Sequence, residues 1–152
     1  MFADPLVDFS RMVFIDAPER YPHESMHRVY PQAQLNCTRL LVLDGLHPAG
    51  KLRKLTDDLG PGWYWRPDIS YDGNRVLFCF RPEKDKTFHL YEAALDPSTP
   101  LGAGGSGLRQ LTDGCYDDQD PVYGPDGSIF FVSNRGASHA RCVVGHPSTV
   151  LA

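Results

Sequence analysis

One stretch of this sequence is written twice. Leu52-Arg53-Lys54-Leu55-Thr56-Asp57 reappears 56 residues on, as Leu108-Arg109-Gln110-Leu111-Thr112-Asp113. Pro67 then matches Pro121, and Asp72-Gly73 matches Asp126-Gly127, each pair 54 residues apart. Behind each Asp-Gly comes a β-rich run, Arg75-Val76-Leu77-Phe78-Cys79-Phe80 and then Ile129-Phe130-Phe131-Val132-Ser133. A repeat of about 50 residues belongs to architectures that stack one supersecondary unit on the next. The small drift in spacing places insertions and deletions in turns, where a backbone tolerates them.

The unit reads as four short strands. Residues 67–71 lead into Asp72-Gly73, a two-residue hairpin signal. Residues 76–81 are aromatic and β-branched, as in a buried strand. After a polar loop at 82–86, residues 88–95 alternate, with Phe88, Leu90 and Glu92 on one face and His89, Tyr91 and Ala93 on the other. A Gly/Ser/Pro-rich connection at 96–107 precedes a short fourth strand at 108–111. Carboxylate usage agrees: 15 of the 19 acidic residues are Asp, which favours turns and caps over helix interiors. Four antiparallel strands in this length make one propeller blade.

The expected fold is therefore all-β, a partial β-propeller of four-stranded antiparallel blades, one complete and two incomplete. The whole chain, 1–152, forms this region, with units at approximately 11–57 (partial), 66–113 (complete) and 120–152 (partial). In the first unit, strands are expected at 11–15, 39–44 and 52–55. The 152 residues hold fewer than three units of 54, whereas propellers close with roughly 4–8 blades. The expectation is a fragment of a longer protein, or a chain that completes its ring with others.

Residues 108–135 carry a family resemblance. Leu108-Arg109-Gln110-Leu111-Thr112-Asp113-Gly114, Asp118-Gln119-Asp120-Pro121, Pro125-Asp126-Gly127 and Ile129-Phe130-Phe131-Val132-Ser133-Asn134-Arg135 resemble the TolB-type β-propeller repeat. Residues 52–81 match more loosely, with Tyr71 in place of the turn proline and Phe80-Arg81 in place of the Ser-Asn-Arg ending. Within the family, Pro67-Asp68-Ile69-Ser70-Tyr71-Asp72-Gly73 and Arg141-Cys142 are similar to large exported proteins of planctomycete-type bacteria, including the propeller part of the hydrazine synthase alpha subunit. The resemblance implies a periplasmic or otherwise extracytoplasmic parent protein and, in one reading, an assembly with haem. This chain has no CxxCH haem attachment motif, so no cofactor is expected on it.

Charge and cysteine spacing exclude several function classes. The net charge of −4, without a basic stripe, argues against nucleic-acid binding. No apolar run reaches the length of a membrane span, and residues 1–15 lack a basic segment followed by an apolar one. Cys37, Cys79, Cys115 and Cys142 form no CxxC pair, which leaves disulfide pairing open.

Several motifs carry candidate chemistry. His23-Glu24-Ser25-Met26-His27 spells the zinc-protease pattern, which on a helix sets two histidines on one face beside a general base. Pro22 and Pro31 bracket it and leave barely two helical turns, so the expected state is a solvated loop, with His23, Glu24 and His27 as the alternative metal site. Asp113, Asp117, Asp118 and Asp120 form an acidic loop that lacks calcium-loop spacing and is expected to face water. Cys142 and His146 make at most half a metal site. Trp63, Tyr64 and Trp65 lie in the expected loop before the complete blade, placed either to stack on a protein or glycan partner or to cap the seam between blades. The functional expectation is a non-catalytic scaffold for a protein, peptide or glycan, packed against the remaining blades of its parent. The alternatives are the propeller part of an enzyme complex resembling hydrazine synthase and a zinc metallopeptidase.

Overall fold

The computed structural model describes residues 9–17, 38–85, 87–96, 98–101, 107–136 and 148–151. Among them there is no helix. Ten strands run in chain order: β1 (Arg11–Asp16), β2 (Arg39–Asp44), β3 (Lys51–Lys54), β4 (Gly62–Ile69), β5 (Arg75–Pro82), β6 (His89–Ala94), β7 (Leu108–Gln110), β8 (Asp118–Tyr123), β9 (Ile129–Ser133) and β10 (Ser148–Leu151). They form three antiparallel sheets of order β1-β2-β3, β4-β5-β6-β7 and β10-β9-β8. The fold is all-β, and each sheet joins sequence neighbours.

The Asp-Gly turns close the β4–β5 and β8–β9 hairpins, but with longer loops than two residues. Ser70 and Arg75 bracket the first, with Ser70 N donating to Arg75 O at 3.0 Å; Gly124 and Ser128 bracket the second, at 2.7 Å. In each, the aspartate carboxylate accepts from the backbone N–H two residues on, Asn74 N to Asp72 at 3.1 Å and Ser128 N to Asp126 at 3.0 Å. Glycine follows in the left-handed region, φ 71° at Gly73 and 84° at Gly127. Asp caps the turn and Gly tolerates positive φ, so the dipeptide works as a unit inside a longer loop.

The central sheet β4–β7 is covered on both faces. Toward β1–β3 it presents Tyr64, Val76, Phe78, Phe80, Tyr91 and Ala93, which pack with Leu40 and Val42 of β2. Toward β8–β10 it presents Cys79 and Leu90, preceded by Phe88, against Trp63, Trp65, Ile129 and Phe131. Burial on both sides explains why residues 76–80 read as an unbroken apolar run rather than an alternating one. Each flanking sheet leaves some large apolar side chains exposed on its outer face, although Leu41 of the first sheet is buried. Met12 and Leu52 stand out on the first, Val122 and Phe130 on the last.

Three strands differ from the sequence reading: β8 begins at Asp118, so Asp118 and Asp120 of the expected acidic loop lie in a strand, with Pro121 at its bulge. β4 begins at Gly62, so Trp63, Tyr64 and Trp65 lie in a strand rather than in a loop. Proline lacks the N–H a ladder needs, which made Pro67 look like a strand start; it instead sits mid-strand at a bulge, between Trp65, opposite Cys79, and Asp68, opposite Leu77. β10, paired with β9, is a third strand of the last sheet that the sequence pattern did not place.

Candidate functional site

The repeated Leu-Thr-Asp segment places a threonine at each junction between sheets. Thr56 Oγ1 donates to the Tyr64 hydroxyl at 2.7 Å. Thr112 Oγ1 accepts from Leu90 N at 3.0 Å and hydrogen-bonds the Asp118 carboxylate. Tyr64 and Asp118 occupy corresponding positions near the start of their sheets. Tyr64 pairs with Phe80, ring centroids 4.6 Å apart, and Asp118 pairs with Ser133. One junction is thus closed by aromatic packing, the other by an ion pair between a buried carboxylate and a partly exposed arginine.

That ion pair joins Asp118 to Arg135. Nε and Nη2 of Arg135 donate to the carboxylate at 3.1 and 2.6 Å, and Arg135 Nη2 also reaches Asp113 O at 2.5 Å. Burial pushes the Asp118 carboxyl up, but hydrogen bonds from Arg135, Ser133 and Thr112 outweigh it and hold it below the usual carboxylate value. Asp117 accepts from Phe88 N at 2.9 Å, and Asp120 meets Arg66 at 3.1 Å. The expectation that this acidic group faces water is corrected for Asp117 and Asp118, whose carboxylates are spent on a neighbouring strand and on a cation. Among the described residues, no group of three or more His, Cys, Asp or Glu is arranged to hold a metal. His23, Glu24 and His27 lie outside the described residues, as do Cys142 and His146.

A second polar cluster lies at the opposite end of the same junction. Glu92, buried at 1% exposure, receives Arg75 at 3.2 Å, Arg109 at 2.9 Å and the Tyr123 hydroxyl at 2.6 Å. Burial and the hydrogen bond to this carboxylate hold the Tyr123 phenol protonated well above the usual tyrosine range. Tyr123 N also donates to Asp68 at 2.8 Å. Sequence alternation placed Glu92 on the right face of β6 but could not show three partners arriving from other strands.

The aromatic triplet divides across β4. The Tyr64 side chain enters the first core and is 4% exposed. Trp63 and Trp65 are half-buried on the other face, against the second core. Arg81 stacks 4.1 Å above the Trp63 ring and Arg66 5.5 Å from that of Trp65. Trp63 Nε1 is buried with no hydrogen-bond partner among the described residues. The triplet is thereby built into the packing of two junctions.

Beside Tyr64 a cavity of about 420 Å³ opens between the first and central sheets. Its lining comprises Thr38, Arg39, Leu40, Lys54, Thr56, Asp57, Gly60, Pro61 and Tyr64. Thr38 ties the sheets together there: its N donates to Gly62 O at 3.0 Å, and its hydroxyl accepts from Tyr64 N at 2.6 Å. The surface there is concave and of mixed polarity. The repeated segment supplies Lys54, Thr56 and Asp57 to it, and the rest of its lining comes from β2, the residue before it and the 60–64 region.

No family model matches the sequence, and no curated protein does. None of the described residues forms a helix long and apolar enough to cross a membrane. Among solved structures, hydrazine synthase from Kuenenia stuttgartiensis matches over 75% of this chain, at 24% identity and a TM-score of 0.53. The chain spans 13% of that protein's chain, and the likeness shows a β-rich fold similar to that part of it.

Proposed function

We propose that this chain is a segment of a β-propeller that serves as a non-catalytic binding scaffold within a larger exported protein. The carrying observation is the pair of exposed apolar outer faces. Register aligns Phe130 of β9 with Leu77 of β5, opposite Val122 and Asp68 respectively. Leu77 is fully buried by the next sheet, whereas Phe130 is 40% exposed. Where the central unit receives a neighbour, the last unit offers the same apolar position uncovered. Met12 and Leu52 do likewise on the first sheet. The TolB-type phrasing of residues 108–135 supports the same reading, with the three sheets as successive blades.

Sedimentation of the chain tests it. The isolated chain is expected to self-associate through these faces, and the Leu52→Glu/Phe130→Glu variant to shift to monomer with its strand content kept. A wild-type chain that is a monodisperse, cooperatively melting monomer counts against further blades on these faces.

A second reading is favoured by the similarity to hydrazine synthase: the propeller part of an enzyme complex of that kind. Hydrazine formation by the intact parent protein would establish it. Ligand binding without that activity would leave the scaffold reading in place.

A further inference from the structure

The two outer faces are the separated halves of an interface the chain already builds once. Between the first and central sheets, Val13 and Ile15 pack in one apolar cluster with Val76, Ala93 and Leu108. The hydrogen-bond ladders fix which residues correspond from sheet to sheet. Leu55 N donates to Leu40 O at 3.0 Å and Leu111 N to Leu90 O at 2.8 Å, so β1–β3 correspond to β5–β7 strand for strand. Leu43, with Met12 and Leu52 beside it, then stands where Ala93 stands with Val76 and Leu108. Val13 and Ile15 stand where Leu77 and Cys79 do.

Those last places recur on the final sheet. Phe130, opposite Val122, and Val132, opposite Gln119, hold the positions of Leu77, opposite Asp68, and Cys79, opposite Trp65. They are therefore the counterparts of Val13 and Ile15. Every exchange keeps an apolar side chain: Phe130 and Val132 stand for Val13 and Ile15, and Met12, Leu43 and Leu52 for Val76, Ala93 and Leu108. Met12, Leu52 and Phe130 are 43%, 56% and 40% exposed, and Leu43 and Val132 are half-buried. The junction between the central and last sheets differs in kind, because Glu92 there receives the Tyr123 hydroxyl. On β10 the register position of Glu92 belongs to Leu151, so the last sheet matches the apolar first junction.

We propose that the outer face of the last sheet docks on the outer face of the first sheet of a second copy, head to tail. Phe130 and Val132 of one copy meet Met12, Leu43 and Leu52 of the next, as Val13 and Ile15 meet Val76, Ala93 and Leu108 within the chain. Unlike faces pair, so each contact leaves one face of each kind free, and copies add until the assembly closes. The proposal rests on the reading of these faces as blade junctions and deepens it by fixing the partner and its polarity.

The experiment is sedimentation of two single variants, alone and mixed, at about ten times the wild-type dissociation constant. Leu52→Glu spoils the first face and Phe130→Glu the last, each at an exposed position of the free chain. A carboxylate buried against apolar side chains is expected to weaken its face by about 100-fold. Each variant alone is then monomeric, and the equimolar mixture forms a one-to-one pair that adds no third copy. Should either variant lose strand content by circular dichroism, Met12→Glu or Val122→Glu replaces it on the same face. Self-association of either variant as strong as that of the wild type would show like faces pairing and overturn the proposal, with the outer-face reading intact. A mixture that stays monomeric, while the wild type associates, would do the same. A monomeric wild-type chain would overturn both.

Discussion

Arg66 and Asp120 stand at the same place in two successive sheets, and they bond to each other. Each precedes a proline, each takes φ of 50°, and each marks the point where its strand skips register against the next. Arg66 Nε lies 3.1 Å from the Asp120 carboxylate. Positive φ costs a non-glycine residue roughly 1–2 kcal/mol, so both bulges are held by their surroundings.

This geometry predicts an order among substitutions at Asp120. Asp120→Gly removes the backbone cost and an exposed ion pair together, and is expected to change stability by less than about 0.5 kcal/mol. Asp120→Val places a β-branched residue at positive φ and should cost about 2 kcal/mol. Urea unfolding of the two variants measures the difference.

The Asp118–Arg135 pair predicts an acid limb of stability. The folded carboxyl titrates below its unfolded value of about 4, so the pair contributes fully above that value. The contribution is lost as pH falls through the folded value. Asp118→Asn is expected to cost about 2 kcal/mol at neutral pH, less than a fully buried pair because Arg135 is a third exposed. Thermal melts at neutral and acid pH should differ less in this variant than in the wild type.

Tyr123 predicts the alkaline limb. Its folded phenol is raised by burial and by Glu92, so stability from this group is complete below the unfolded value of about 10 and falls as pH rises beyond it. In an absorbance titration Tyr123 should be the last described tyrosine to ionise. Tyr123→Phe removes that late step, and Glu92→Gln advances it.

Much of this fold could be read from the chain because its determinants are local. Asp72-Gly73 and Asp126-Gly127 cap their own turns through a carboxylate two residues from the N–H it accepts. Phe88 and Leu90 announce one face of β6 by alternation alone. The start of β4 could not be read the same way, since Pro67 imitates a strand boundary unless the bulge is known. The Glu92 cluster and the Thr38 cavity were hidden for another reason. Glu92 meets residues 17 and 31 positions away, and the cavity lining outside the repeated segment comes together only where β2 meets the 60–64 region.

Trp63 tests whether the aromatic triplet acts mainly in packing. Its indole N–H has no hydrogen-bond partner among the described residues, so Trp63→Phe should cost only about 1 kcal/mol, with stacking under Arg81 kept. Trp63→Ala removes that stack and opens a void beside Phe88, at a cost of about 3 kcal/mol. Chemical denaturation of the pair gives both values.

A sheet with a neighbour on each face melts last. β5 and β6 gain from both junctions, whereas the flanking sheets each gain from one, so free energies of local opening should rise toward the middle of the chain. Amide protons of residues 76–80 and 90–94 will then exchange slowest, and those of β1, β3 and β8 first. Proteases will enter from the two outer sheets, and the last protected remnant to survive digestion will be the central hairpin.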